Sequence, residues 1–285
     1  MDEILRSFDE FMEQEGKSKN TIKSYKLQVK EYLDWFQKSY GCNFIKLHRE
    51  NVLEYKSYLS NIKKYKGNKL KGKTINAKIS ALLSFNKFLI KEKRQSNLVI
   101  KKNDMLKIQT SYVNPAEISK IDVENFRQKI LEADNKRLYA IVTLIAYSGL
   151  RITEALNIKL DDINLITQEL IVTKAKGNKS RVLFLNSKVV NSIKAYMKTR
   201  DSNSNYLFAS RQSPRVDRSV INKQFKKYSK VITPHKLRHF FCSNALDSGF
   251  AIHEVANLAG HKSIQTTLIY TNPSKENMKS KLESL

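Results

Sequence analysis

Leu258-Ala259-Gly260-His261-Lys262-Ser263-Ile264-Gln265-Thr266-Thr267-Leu268-Ile269-Tyr270 is the stretch on which the reading of this chain turns. A Gly-His pair closes one short apolar segment, and a tyrosine stands at the end of the next. Upstream, Thr233-Pro234-His235-Lys236-Leu237-Arg238-His239 combines imidazole with guanidinium, and Ser148-Gly149-Leu150-Arg151-Ile152-Thr153-Glu154 supplies another arginine. Between these two boxes lies Lys174-Ala175-Lys176-Gly177-Asn178-Lys179-Ser180-Arg181.

Together these segments hold the groups that a metal-free attack on a phosphodiester requires. A phosphodiester resists nucleophiles because its non-bridging oxygens are anionic and its alkoxide leaves poorly, so the first must be neutralised and the second protonated. Arg151 and Arg238 offer planar forks for the anionic oxygens, a geometry a lysine point charge does not reproduce. Lys176 suits protonation of a departing 5'-hydroxyl. Tyr270 suits the nucleophile; its phenol, with a free pKa of about 10, needs a base or a strongly positive site. His235 is the candidate base. Taken singly each residue has a bland reading, a surface ion pair for Arg151 and Glu154 or a helix end for Gly260 and His261. Their common order across the chain outweighs those readings.

At these residues the chain resembles the tyrosine recombinase (phage integrase) family. The resemblance assigns Arg151, Lys176, His235, Arg238, His261 and Tyr270 to the family's six catalytic roles, one residue to each. It implies a 3'-phosphotyrosyl intermediate that a 5'-hydroxyl from a partner site resolves, with no metal, ATP or other cofactor. It further implies a double-stranded DNA recombination site as partner and a homotetramer in the synaptic complex, with a C-terminal tail exchanged between subunits. The departures are minor: Ala259 stands where leucine is usual, and Leu183-Phe184 replaces a common Val-Pro.

Rival constellations explain less. His235 and His239 have a spacing that can bind zinc, with His261 as a third ligand, but Arg238 would then place a cation beside the metal. Cys42 and Cys242 are isolated and form neither a metal pattern nor a disulfide framework. A type IB topoisomerase shares the tyrosine chemistry yet has no use for a tail suited to subunit assembly. A non-catalytic DNA-binding protein descended from such an enzyme is expected to have lost part of the set, and all six residues are present.

Charge points to the same partner. The chain carries 52 Lys+Arg against 27 Asp+Glu, a formal net charge of +25, as expected for a protein that binds a polyanion. The excess is concentrated: residues 1–60 are net neutral, whereas 61–110 carry 14 basic and 2 acidic side chains. Candidate phosphate contacts are Lys19, Lys23 and Lys26, together with Lys63, Lys64, Lys66, Lys69, Lys71, Lys73 and Lys78. Contacts of this kind give affinity and register rather than sequence choice. No apolar run approaches the roughly 20 residues of a membrane span, and the acidic start, Asp2-Glu3, does not resemble a signal peptide, so a cytoplasmic protein is expected.

The apolar pattern predicts a mainly α chain with a small antiparallel β-hairpin, in two domains forming a C-shaped clamp. Residues 1–95 read as a helical, SAM-like core-binding domain, with helices marked by Ile4, Phe8 and Phe11, then 21–36, 51–59 and 74–90. Residues 96–115 lose the apolar period and read as a linker. Residues 116–285 read as the catalytic domain, with strands at 169–176 and 179–185 joined by Gly177-Asn178 and helices before and after them. Met278, Leu282 and Leu285 form a stripe too thin to hold the tail helix 274–285 without docking. The length suits a simple recombinase that resolves transposon cointegrates or replicon dimers, with Xer-type chromosome dimer resolution and integration or excision of a mobile element as the alternatives.

Overall fold

The computed structural model describes residues 2–108, 118–173, 180–261, 263–268 and 283. The chain divides into two compact units, Met1–Thr110 and Ser111–Leu285.

The first unit is built on α1 (Asp2–Gln14), α2 (Lys19–Tyr40), α3 (Arg49–Asn61) and α4 (Gly72–Lys91), the four helices that the periodicity predicts, the last three extended by one to four residues at each end. Helix α2 starts where the Ser18 hydroxyl accepts from Thr21 N, and stops at Gly41 in the left-handed region, which satisfies end groups that a bare helix leaves open. Its stripe Ile22, Val29, Tyr32, Leu33 and Phe36 is buried. Aromatic rings fill the core: Phe8 meets Phe85 edge-on at 5.3 Å and Tyr32 meets Tyr55 at 5.1 Å, spacings that favour the ring quadrupoles.

Two features depart from expectation. The lysine-rich stretch after α3 forms a small ribbon, β1 (Lys64–Tyr65) and β2 (Asn68–Lys69), with Tyr65 opposite Asn68. Lys66 and Gly67 take φ of 52° and 82°, the positive values that a two-residue hairpin turn needs. The second departure is the expected linker at 96–115, whose first half packs on the first unit. Ile100 is buried there, Arg49 grips Asp104 through both terminal nitrogens, and the Asn86 side chain accepts from Val99 N at 2.8 Å. Asn76 exchanges two hydrogen bonds with Leu106. These segments are ordered by side-chain amides rather than by an apolar stripe, so periodicity does not report them.

The second unit is arranged around α6 (Lys136–Ser148), in which Leu138 and every residue from Ala140 to Ala146 are buried, as suits a helix enclosed by others. It is surrounded by α5 (Lys120–Glu132), α8 (Ser187–Met197) and α10 (Pro234–Asp247), with α7 (Ile152–Leu156), α9 (Arg218–Tyr228), α11 (Ile252–Ala259) and the short α12 (Gln265–Leu268) completing the described helices. A three-stranded antiparallel sheet runs β3 (Ile163–Asn164), β4 (Glu169–Val172), β5 (Arg181–Phe184). Its register pairs Leu170 with Leu183 and Val172 with Arg181, which turns Leu170, Val172 and Leu183 into the core. The two-residue strand β3 is too short to leave an alternation in the sequence. The expected turn at Gly177-Asn178, and the tail helix 274–285 apart from Glu283, lie outside the described residues.

Asn86 is fully buried and fixes the 97–100 segment from both ends of its amide. Asn86→Ala should therefore lower the unfolding free energy of the first unit by about 1–3 kcal/mol, the usual cost of orphaned buried groups. Urea unfolding followed by Trp35 fluorescence measures this; an unchanged midpoint would show that the segment is not held by this amide.

Candidate active site

Two helix stops and one helix start in the second unit set up the site. Helix α6 ends at Gly149, whose φ of 66° turns the chain so that Leu150 enters the core and Arg151 stands at the N-cap of α7. A Cβ on Gly149 would lie 2.3 Å from the Phe241 ring, so only glycine lets α10 come this close. Helix α11 likewise ends at Gly260, φ 66°, delivering His261. Helix α10 begins with Thr233 accepting from Lys236 N and Pro234 at its first position, an arrangement that suits a helix start, and carries His235, Arg238 and His239.

Glu154 joins these pieces. Its carboxylate accepts the Arg151 backbone N–H at 2.9 Å and Arg151 Nη1 at 3.0 Å. It also accepts Arg181 Nη2 at 3.0 Å and Nη1 at 3.3 Å, and lies 3.9 Å from Arg238 Nη1. Burial alone would raise this carboxyl; the hydrogen bonds and charges of Arg181 and Arg151 outweigh it and hold the group below the usual carboxylate range. Arg238, itself buried, donates from Nη1 to Gly149 O at 2.6 Å. Arg151 donates from both terminal nitrogens to Gly260 O at 3.2 Å, and its side chain stays 43% exposed.

The histidines sit in this positive field. His261 Nδ1 lies 2.7 Å from the hydroxyl of the buried Thr267. Burial first, then Arg238, Arg151, His239 and Arg181, push its pKa down to about 4. His235 Nε2 and His239 Nε2 are 2.8 Å apart with rings edge-to-face, and burial together with Arg238 also lowers His235. Both are therefore neutral imidazoles near pH 7.

The structure thus brings Arg151, Arg238 and His261 into one cluster, with His235 on the same helix as Arg238. Lys176 and Tyr270 lie outside the described residues. Sequence reasoning passed over Glu154, Arg181 and Thr267. Glu154 read as an ordinary surface partner of Arg151, and nothing local marks a carboxylate shared with an arginine on a distant strand.

The candidate DNA contacts in the first unit divide into two groups. Lys19, Lys23, Lys64, Lys66, Lys69, Lys71 and Lys73 are exposed. Lys26 pairs with Asp9 at 2.5 Å, and Lys63 and Lys78 both hold Glu31 at 2.6 Å. Lys78, only 11% exposed, fastens α4 to α2, so a phosphate would have to displace Glu31 to reach it.

Comparison with known proteins places the chain in a family. Residues 117–277 match the phage integrase family model and residues 5–93 the N-terminal SAM-like domain of phage integrases. The chain is 49% identical over 288 residues to the TnP I resolvase of Bacillus thuringiensis, covering 99% of this chain and 100% of the relative. It is 31% identical to tyrosine recombinase XerA of Pyrococcus horikoshii, covering 99% and 93%. A crystal structure of XerA recombinase superposes with a TM-score of 0.54 at 26% identity, covering 99% of this chain and 98% of that one. The Tn1549 transposon integrase in complex with circular intermediate DNA shares the fold at a TM-score of 0.70 and 18% identity, covering 99% and 98%. The fold is that of the tyrosine recombinases. The chain belongs to the phage integrase family, whose members break and rejoin DNA strands.

A histidine whose folded pKa lies below its unfolded one is protonated first in the unfolded chain as pH falls. The stability it contributes is intact above the ordinary imidazole value of about 6.5 and is lost progressively toward pH 4. An NMR titration should place His261 near 4, and His261→Gln should flatten the acid limb of stability between those limits. A midpoint near 6.5 would contradict the electrostatic account of this cluster.

Proposed function

We propose that this enzyme is a site-specific recombinase that resolves transposon cointegrates. The observation that carries this reading is its full-length similarity to a resolvase, at 49% identity, combined with a cluster of arginines and neutral imidazoles suited to a scissile phosphate. Xer-type dimer resolution is the second reading, favoured by the 31% match to XerA over nearly the whole chain.

In the proposed reaction Tyr270 attacks phosphorus and loses its phenolic proton, with His235 as the candidate acceptor, a role its neutral state allows. Arg151, Arg238 and His261 bind the non-bridging oxygens. The bond to the 5'-oxygen breaks, Lys176 gives that oxygen a proton, and a 3'-phosphotyrosyl ester remains. A 5'-hydroxyl from the partner site then attacks and passes its proton to Lys176, the tyrosyl ester bond breaks, and the phenol recovers its proton from His235. Phosphodiester energy is kept throughout, so no nucleotide, metal or other cofactor is required.

Donor counting supports the role of Arg151. Both Nη1 protons and one on Nη2 are committed to Glu154 and Gly260, which leaves the Nε–Nη2 edge, the bidentate edge of the fork, for phosphate oxygens. The exposed lysines of the first unit, with the β1–β2 ribbon at their centre, bind the DNA backbone. Two sites are brought together by four copies of the chain, with the tail 274–285 passed between neighbours, and the reaction takes place in the cytoplasm.

The test is covalent trapping on nicked suicide duplexes tiled across the DNA flanking the gene, run in EDTA. A protein–DNA adduct should form and should vanish in Tyr270→Phe while binding persists; an adduct that survives in that variant would assign the nucleophile wrongly. Removing Lys64, Lys66 and Lys69 together should weaken binding on all sequences and reduce the slope of log Kd against log salt by about 2–3. An unchanged slope would remove the ribbon from the DNA interface.

A further inference from the structure

Arg181 takes no part in the chemistry above, yet its guanidinium is fully engaged at the centre of the site. Nη1 and Nη2 reach the two oxygens of Glu154 at 3.3 and 3.0 Å, and Nε donates to Leu258 O at 3.0 Å. The side chain is 13% exposed. It lies against Gly260, where a Cβ would fall 2.6 Å from Nη1. The end of a flexible arginine ordinarily yields to such a methyl group, but this one is held by three hydrogen bonds to two partners, Glu154 and Leu258 O. Arg181 therefore spans α7 and the end of α11, the two elements between which Arg151 is hung: Glu154 takes Arg151 on one side and Gly260 O takes it on the other.

We propose that Arg181 is a positioning residue that aims Arg151 at the scissile phosphate. It fixes Glu154, so that the carboxylate orients the Arg151 fork, and it fixes the Leu258–Gly260 backbone, whose carbonyl takes the outer donors of that fork and whose next residue is His261. A planar cation with separated donors is needed for this. A lysine would neutralise Glu154 but could not also hold Leu258 O. The glycine at 260 is explained by the same contact, since it makes room for Arg181 as well as adopting a positive φ. The proposal rests on the assignment of Arg151 to the phosphate oxygens made above.

That assignment gives a readout that simple loss of fold would not move. A methylphosphonate at the scissile position lacks the anionic non-bridging oxygen, so a residue that acts by neutralising it matters less on that substrate. Adduct formation would be timed for the wild type, Arg151→Ala, Arg181→Met and Arg181→Lys on the trapping duplex in phosphodiester and methylphosphonate forms, with thermal unfolding of each protein alongside. Arg181→Met should slow cleavage of the phosphodiester about 100-fold, the scale of one lost oxyanion contact, with a deficit that shrinks below about 10-fold on the methylphosphonate, in parallel with Arg151→Ala. Arg181→Lys should show the same pattern more weakly and keeps the test valid if Arg181→Met is unstable. An equal deficit on both substrates, or none on either, would overturn the proposal while leaving Arg151 in place. If Arg151→Ala itself showed no difference between substrates, the phosphate assignment of Arg151 would fall, and this inference with it.

Discussion

One half-buried carboxylate organises the catalytic unit. Glu154 is shielded from water, and an unpaired charge there would be costly; it is tolerated because guanidinium groups from three separate elements converge on it. Arg151 belongs to the N-cap of α7, Arg181 to β5 and Arg238 to α10. None of these arginines could stand beside the other two without an anion between them, and the anion could not be buried without them. The elements that carry them are therefore placed by electrostatics as much as by apolar packing. With three cations around one anion, the group keeps a net positive charge, which suits it to bind a further anion.

The same excess sets the state of the histidines. A protonated imidazole beside Arg238 and Arg151 would add repulsion in a partly buried place, so His261 is held neutral down to about pH 4 and His235 is lowered as well. Neutral imidazoles keep one acceptor and one donor each, which is what proton traffic and hydrogen bonding to a phosphate require. The arginines thus supply the charge and the histidines supply direction, a division that holds because guanidinium does not titrate in this range.

How far the sequence disclosed this depends on the kind of constraint. Helices with an apolar stripe, such as α2 with Ile22, Val29, Tyr32 and Leu33, were legible because burial imposes a period, and the arginine and histidine boxes were legible because their order matches a known family. Elements held by single polar side chains were not. The 97–106 segment looks like linker in composition, yet Asn86, Asn76 and Arg49 tie it down from positions up to 55 residues away. Glu154 was visible but misvalued, because its neighbour in sequence, Arg151, conceals its partner in space, Arg181. Gly260 reads as a helix end, and both it and Gly149 are helix stops in the structure; that each also clears space for a particular side chain, Arg181 and Phe241, depends on contacts between distant parts of the chain.

The two kinds of positive charge in this protein are not interchangeable. In the first unit Lys64, Lys66 and Lys69 project from a ribbon whose strands are exposed on both faces. A ribbon that buries nothing gains little stability from itself, so its conformation is set by the turn at Lys66-Gly67 and by Lys63 at its base, held by Glu31. Charges in that setting are screened by salt, and against a polyanion such charges work by releasing counterions, which gives affinity with little geometric demand. In the second unit Arg238 is buried and Arg181 half-buried, oriented by Gly149 O and Glu154, where a lower dielectric strengthens each interaction and little reorganisation is left to do. An exposed lysine can shift by an ångström and still meet a phosphate. A guanidinium aimed at a developing charge cannot, and the carboxylate, carbonyls and glycines around the arginines serve to prevent that movement.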